Sequence, residues 1–337
     1  MSKNKTLSGK GGKLGEILRM REVSLLLVMI LLCAVIQMRN NQFLTFNVIN
    51  GIFKNYAYTM VMSFGMFLVL LIGGIDISVG ATLALSGMTS AIMMKEGILT
   101  SALSVYAVST VVGVVCGLLI GLVIAKGRVI PIIATLGFQY IYRGLTYAIS
   151  DSDWVGTSEM SMEFKQFAQG TTLGVNNLIC ITIVVFVIAF VVLKWTDFGR
   201  QIYAVGSNAD AAKISGIRID RVKILVYTIN GAISGLCGSM LVGYYATAQP
   251  NMAVNSEMDV IAACVIGGVS LDGGQGSAVG VLLGAITIAI IGKSLSMVGI
   301  NAFWQQSLKG GIILAAVIVN VLVQRAAERR ALEGREI

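Results

Sequence analysis

Histidine is absent from this sequence. The usual proton shuttle near neutral pH and the commonest metal ligand are therefore missing. Cysteine is sparse: Cys33, Cys116, Cys180, Cys237 and Cys264 each stand alone in an apolar run. Without a Cys-x-x-Cys spacing they argue against a metal or redox centre and read as small buried hydrophobes. Proline is scarcer still, at Pro131 and Pro250 alone, which suits long unbroken helices. Charge is also short. Only 12% of the 337 residues are charged and 56% are hydrophobic, where a soluble domain carries about a quarter charged. Such a chain cannot build a surface that faces water all round; it must meet lipid. Glycine is plentiful, at 39 residues, and suits helices that pack closely in a bilayer.

A helix needs about 20 mostly apolar residues to cross the hydrocarbon. Ten candidates fit: 23–38, 57–74, 78–94, 102–125, 131–149, 177–194, 223–246, 258–269, 276–292 and 306–323. The eighth is short and flanked by glycine. The first resembles a signal peptide, but Gln37-Met38-Arg39-Asn40 follows it rather than a small-residue cleavage site, so it reads as a retained span. The expected fold is an all-α polytopic membrane protein of about ten spans.

The net charge of +8 could suggest nucleic acid in a soluble protein. Here the basic residues flank apolar segments, so membrane orientation explains them better and no nucleic-acid partner is expected. Lys3, Lys5, Lys10, Lys13, Arg19 and Arg21 precede the first span. Lys126 and Arg128 follow the fourth. Lys194, Arg200, Lys213, Arg218, Arg221 and Lys223 lie between the sixth and seventh, and Arg325, Arg329, Arg330 and Arg335 follow the tenth. Ten spans with both termini cytoplasmic put all of these on one side. The opposite loop, 150–176, carries Asp151, Asp153, Glu159 and Glu163 against Lys165. The expected organisation is a cytoplasmic tail 1–22, a membrane domain 23–323 and a cytoplasmic tail 324–337. Its larger excursions are a cytoplasmic loop 195–222 and an extracytoplasmic loop 150–176.

Three stretches stand out. Gly73-Gly74-Ile75-Asp76-Ile77-Ser78-Val79-Gly80 joins two apolar runs. Paired glycines beside an acid suggest a broken helix or tight turn, tolerated at depth where it is packed in protein or lines a cavity. Asp76 is a functional candidate by its location, and equally a cap for the helix that starts near Ser78. Ile266-Gly267-Gly268-Val269-Ser270-Leu271-Asp272-Gly273-Gly274 echoes that run. It reads as a glycine turn or as the partner site in an internal repeat. The third stretch, Phe198 to Ile217, holds a short helix in which Asn208 is the cap and Asp210 sits in the first turn. Ala211, Ala212 and Ile214 give it an apolar surface, and Gly216 stops it. Two readings stay open for it: a knob for a partner's groove, or a basic connector lying on anionic headgroups.

The third stretch closely resembles the cytoplasmic coupling loop of ribose-type ABC permeases, in the branched-chain amino acid/sugar permease superfamily. The resemblance takes in Gly73–Gly80, Pro131-Ile132-Ile133-Ala134-Thr135-Leu136-Gly137, Arg143-Gly144-Leu145 and Asp259–Ser270. Asp210 stands where members often have Glu, which keeps the acid. The resemblance implies a ten-helix permease paired in the membrane, as a homodimer or with a related chain. Cytoplasmic ABC ATPases and an extracytoplasmic sugar-binding protein complete it. The coupling residues would be Asn208, Asp210, Ala211, Ala212 and Gly216, and the run at 71–80 leans towards a sugar.

A phosphate loop is lacking. Gly292-Lys293-Ser294 would need glycine at 287, which is threonine. ATP and magnesium are therefore expected on a partner ATPase, and this chain is expected to bind no cofactor and to catalyse nothing. Intramembrane carboxylate pairs, which an ion-coupled carrier would use, are missing too; a secondary transporter or a membrane-embedded enzyme is the weaker reading. Neutral polar side chains that could touch an uncharged solute, or bind helices together, include Thr135, Gln139 and Asn230; Asp76 and Ser78 are further candidates for the pathway. Nucleosides and branched-chain amino acids are the alternative cargoes.

Overall fold

A computed structural model describes residues 21–301 and, beyond them, 304–308, 310–311, 314–315 and 318. Most of the tail 1–22, most of the tenth expected span and all of the tail 324–337 lie outside the described residues. The remainder is an all-α membrane protein. Its helices are α1 (Arg21–Arg39), α2 (Phe46–Asn55), α3 (Ala57–Leu71), α4 (Val79–Lys95), α5 (Ala102–Ala125), α6 (Pro131–Ile149), α7 (Met162–Gln169), α8 (Asn177–Trp195), α9 (Asp197–Ser207), α10 (Ala209–Ile214), α11 (Ile219–Tyr245), α12 (Ser256–Ile266) and α13 (Ala278–Met297). Among the described residues the only strand pair joins Thr171–Thr172 to Val175–Asn176.

α5, α8, α11 and α13 are long and apolar enough to cross a membrane. α8 leaves Ile183, Val184, Val187 and Ile188 exposed, a face that lipid, not water, would cover. By contrast α3 has 15 residues and α12 has 11, roughly 22 Å and 16 Å at the usual helical rise. Both fall short of a hydrocarbon core of about 30 Å. The expected spans at 57–74 and 258–269 thus hold short helices that end in glycine turns; α2 runs almost directly into α3, with Tyr56 alone between them. α3 is also the centre of the bundle: 14 of its residues are buried, as its all-round apolar sequence demands.

The tightest contact is between α5 and α11, which run antiparallel. Their glycines face each other at four-residue spacing. A β-carbon on Gly117 would strike the Tyr227 carbonyl, and one on Gly231 would strike the Gly113 carbonyl. One on Gly235 would meet the Ser109 carbonyl, while the Ser109 hydroxyl donates to the Gly235 carbonyl at 2.6 Å. Small residues thus let two backbones touch, replacing the hydrophobic drive that lipid does not supply.

The loop 150–176 is folded rather than open. Val155 bridges Ala248, and Phe164 and Ala168 of α7 are buried against the ends of α5 and α11. Glu163 Oε1 accepts the free Ala102 N–H at the start of α5, at 3.1 Å. Lys95 Nζ lies 2.9 Å from Glu159 Oε1. The Glu159 carboxyl is held below its ordinary range, first by the Gly156 N–H and then by Lys95. A depressed carboxyl stabilises the fold above its unfolded pKa, and that contribution goes as pH falls through the folded value.

Two outcomes follow. Replacing Gly117 with leucine forces α5 and α11 apart, at a cost of about 1–3 kcal/mol or more. Gly137→Leu, in open space on α6, should change the unfolding temperature of the detergent-solubilised protein little. Limited proteolysis within 150–176 should stay constant across neutral pH and rise as pH drops below the carboxylate range; Glu159→Gln should remove much of that dependence.

Candidate functional site

Where α3 ends, Gly73 takes φ 72°. Its N–H donates to the Leu70 carbonyl, and that of Gly74 to the Val69 carbonyl. This closes the helix in a Schellman turn, which needs a left-handed residue. α12 ends in the same way: Gly268 has φ 91°, with Gly268 N–H to Val265 and Val269 N–H to Cys264. The echo between the two sequence runs is thus an echo of backbone. The two breaks also touch. Gly274 N–H donates to the Leu71 carbonyl at 2.8 Å, and a β-carbon on Gly273 would sit 2.8 Å from the Gly73 nitrogen.

Gly73, Gly268, Gly273 and Gly274 occupy left-handed φ. Gly74 and Gly267, also expected as turn formers, do not. Their missing side chains instead leave room for the Tyr227 hydroxyl and for the backbone of Gly280 in α13.

The turn after α3 carries Asp76, only 2% exposed. Its Oδ1 accepts the Ser78 N–H at 2.9 Å and the Ser78 hydroxyl at 2.6 Å; its Oδ2 accepts the Asn230 amide of α11 at 2.7 Å. An isolated buried charge is costly, and such donors offset the loss of water. α4 begins at Val79 with Ser78 in the cap position. Asp76 therefore closes an Asx turn just before the helix, rather than being its N-cap. On the other side the Thr135 hydroxyl of α6 takes the Ile77 N–H at 3.2 Å and donates to the Ile75 carbonyl at 3.3 Å. Asp76, Ser78, Thr135 and Asn230 thus meet in one buried node. Gln139 is half-buried on α6, one turn beyond Thr135, and no hydrogen bond among the described residues ties it to the node.

Sequence reasoning gave no role to Arg143. Its Nη1 donates to the Pro250 and Met252 carbonyls, both at 2.8 Å, and so ties α6 to the segment that leads into α12. The signal was an arginine inside an apolar run, where ionisable residues are rare and have partners. Gly292-Lys293-Ser294 lies inside continuous α13, so it forms no phosphate-binding loop.

The stretch 195–222 holds two helices where one was expected. α9 is amphipathic, with Gly199, Ile202 and Val205 buried. It reaches the end of α3 and the loop between α12 and α13: Tyr203 Oη donates to the Gly276 carbonyl at 2.9 Å, and Gly206 packs on the Leu71 carbonyl with no room for a β-carbon. α10 follows at once. Asn208 Oδ1 accepts the Ala211 N–H at 2.9 Å. Gly216, at φ 85°, closes the other end with bonds from its own N–H to Lys213 and from that of Ile217 to Ala212. Ala212 is buried; Asp210 and Ala211 are exposed, and Ile214 is 89% exposed.

Residues 47–317 match a family described as branched-chain amino acid transport system / permease component. The chain belongs to this permease family. It is a multi-pass transport subunit and not an enzyme. The ribose import permease protein RbsC of Escherichia coli (strain K12) is 36% identical over 297 residues, covering 88% of this chain and 92% of that protein. The RbsC of Bacillus subtilis (strain 168) is 37% identical over 310 residues, covering 89% and 93%. The galactose/methyl galactoside import permease protein MglC of Escherichia coli (strain K12) is 32% identical over 321 residues, covering 90% and 95%. No solved structure matches the permease.

Replacing Asn230 with leucine leaves Asp76 Oδ2 without its donor. A cost of about 1–3 kcal/mol is expected, read as a lower unfolding temperature. Asn230→Gln, if its longer amide reaches the carboxylate, should recover part of the loss.

Proposed function

We propose that this permease is the membrane subunit of an ATP-driven importer for a monosaccharide, in the bacterial inner membrane. Ten spans with both termini cytoplasmic account for its charge distribution. An extracytoplasmic binding protein delivers the sugar to the face built by residues 150–176. A second permease copy, identical or related, encloses the path. ATP and magnesium act on separate cytoplasmic ATPases, and α10 is the helix they grip. Asp76, Ser78, Thr135 and Asn230 hold the wall of the path in shape, and Gln139 stands nearer its open side.

The observation that carries this reading is the linkage of α10 through α9 to the end of α3 and to the glycine loop between α12 and α13. The Tyr203 and Gly206 contacts leave little slack, so a push on α10 bears on the α3 turn and the α12–α13 loop together. Rigid-body rocking of helix bundles is the general way to alternate access. Cargo is proposed from the relatives, which are import permeases for ribose and for galactose. The family description leaves branched-chain amino acids as the alternative, to be separated by calorimetry on the cognate binding protein with pentoses, hexoses and leucine.

Gly216→Val forces a β-branched residue into left-handed φ, at about 1–2 kcal/mol or more. It should unlock α10 and cut ATPase co-purification, with membrane insertion intact, whereas Gly216→Asn should retain docking. Gly206→Ala should keep the ATPase bound but lower sugar uptake into vesicles at least several-fold. Undiminished uptake by Gly206→Ala would overturn the proposed linkage.

A further inference from the structure

The basic face of the bundle carries a groove of about 630 Å³ between α9 and the start of α11. Its polar rim includes Arg218 and Arg221; Phe198, Ile217 and Leu225 supply its apolar side. Both arginines are exposed, and among the described residues neither pairs with a carboxylate. Asp197 also lines the groove, but it is paired with Arg200 on its own helix. On the other flank of the same helix start, Arg128 and Lys223 line a second groove of about 360 Å³.

The depth of the first groove is marked by α8. That helix ends in Trp195, 63% exposed, with Lys194 Nζ 5.1 Å from the Phe190 ring centroid and 5.8 Å from that of Trp195. An exposed tryptophan beside a lysine at the end of an apolar helix marks the headgroup level. The groove begins at Asp197 and Phe198, the next residues but one. Arg218 and Arg221 lie around the first turn of α11, itself long and apolar enough to cross. Leu225 lies one turn further in and is 39% exposed. Cationic groups thus stand at phosphate level, with apolar surface directly beneath them.

We propose that this groove seats an anionic phospholipid of the adjacent leaflet. Arg218 and Arg221 hold its phosphate, and Phe198 and Leu225 lie along the upper part of an acyl chain. Arginine presents the planar donor fork that suits phosphate, and basic pockets between helices at this level are the sequence-readable form of headgroup recognition. A free phosphate would use the rim but would have no call on the apolar floor. The site stands on the groove itself and does not depend on what grips α10. It nonetheless includes Ser215 and Gly216, so a seated lipid would brace the closing turn of that helix.

The test uses the full permease with its ATPase, reconstituted in vesicles of equal phosphatidylglycerol and phosphatidylcholine and gently extracted. Retained lipid is counted by native mass spectrometry. Wild type should retain phosphatidylglycerol preferentially. Arg218→Gln with Arg221→Gln should lower its retention roughly tenfold or more, from the attraction each basic residue adds near an anionic surface. Leu225→Gln should weaken retention with both arginines present. Lys54→Gln should change nothing, since neighbouring Asn55 lies beside Tyr245 at the far end of α11. An unchanged unfolding temperature in each variant secures the comparison. Equal retention by the double variant would overturn the proposal. So would displacement of the lipid by millimolar inorganic phosphate that itself binds in wild type, which would mark a free-phosphate site. Loss of the ATPase with lipid retention unchanged would overturn it too, since the groove would then be an ATPase surface.

Discussion

A helix that stops inside hydrocarbon frees backbone N–H and C=O groups that lipid cannot satisfy. α3 and α12 are short apolar helices that end within the protein, and much of its architecture closes those ends. Each break folds back through a left-handed glycine, Gly73 or Gly268, so that the last carbonyls are taken by the following N–H groups. The breaks then lean on one another through Gly274 and Leu71. Glycine at 206, 273 and 274 lets three segments of backbone share this small space, and glycine at 73 permits the left-handed turn.

The buried Asp76 belongs to the same problem. A carboxylate in the turn supplies acceptors where the chain reverses, and Ser78 and Asn230 supply donors to it. Thr135 does both with one hydroxyl, donating to one backbone carbonyl and accepting a neighbouring N–H. Four side chains from three parts of the sequence converge, and each hydrogen bond removes a cost that the low-dielectric interior would otherwise impose. In this setting polarity shapes an irregular turn, and the turn shapes whatever path runs beside it.

The same turns are where force can enter. α9 touches the α3 turn and the α12–α13 loop, and α10 extends from it with both ends capped and Ile214 standing in the open. A short helix gripped by a partner is useful only if it is stiff and well anchored. Asn208 and Gly216 supply the stiffness; Tyr203 and Gly206 supply the anchorage. The basic loop of 195–222 thus presents an exposed isoleucine on α10 and, beside it, exposed arginines at 218 and 221.

Sequence alone determined the medium and the local closures. Too little charge and too much apolar surface require lipid, whatever the fold, and a cap such as Asn208 or a stop such as Gly216 acts within a few residues of itself. The long apolar runs 102–125 and 177–194 were legible for the same reason, since a span is a local property of about twenty residues. Tertiary structure decided the rest. How the run 57–74 ends depends on what its turn packs against, and that is Gly206, Gly273 and Gly274, far away in the chain. Whether Asn230 is glue or lining depends on Asp76, 154 positions away. α9 was missed because its buried stripe at Gly199, Ile202 and Val205 makes sense only against surfaces that other helices provide. The role of Arg143 was missed because its partners are backbone carbonyls, which every residue carries and which therefore leave no mark in a sequence.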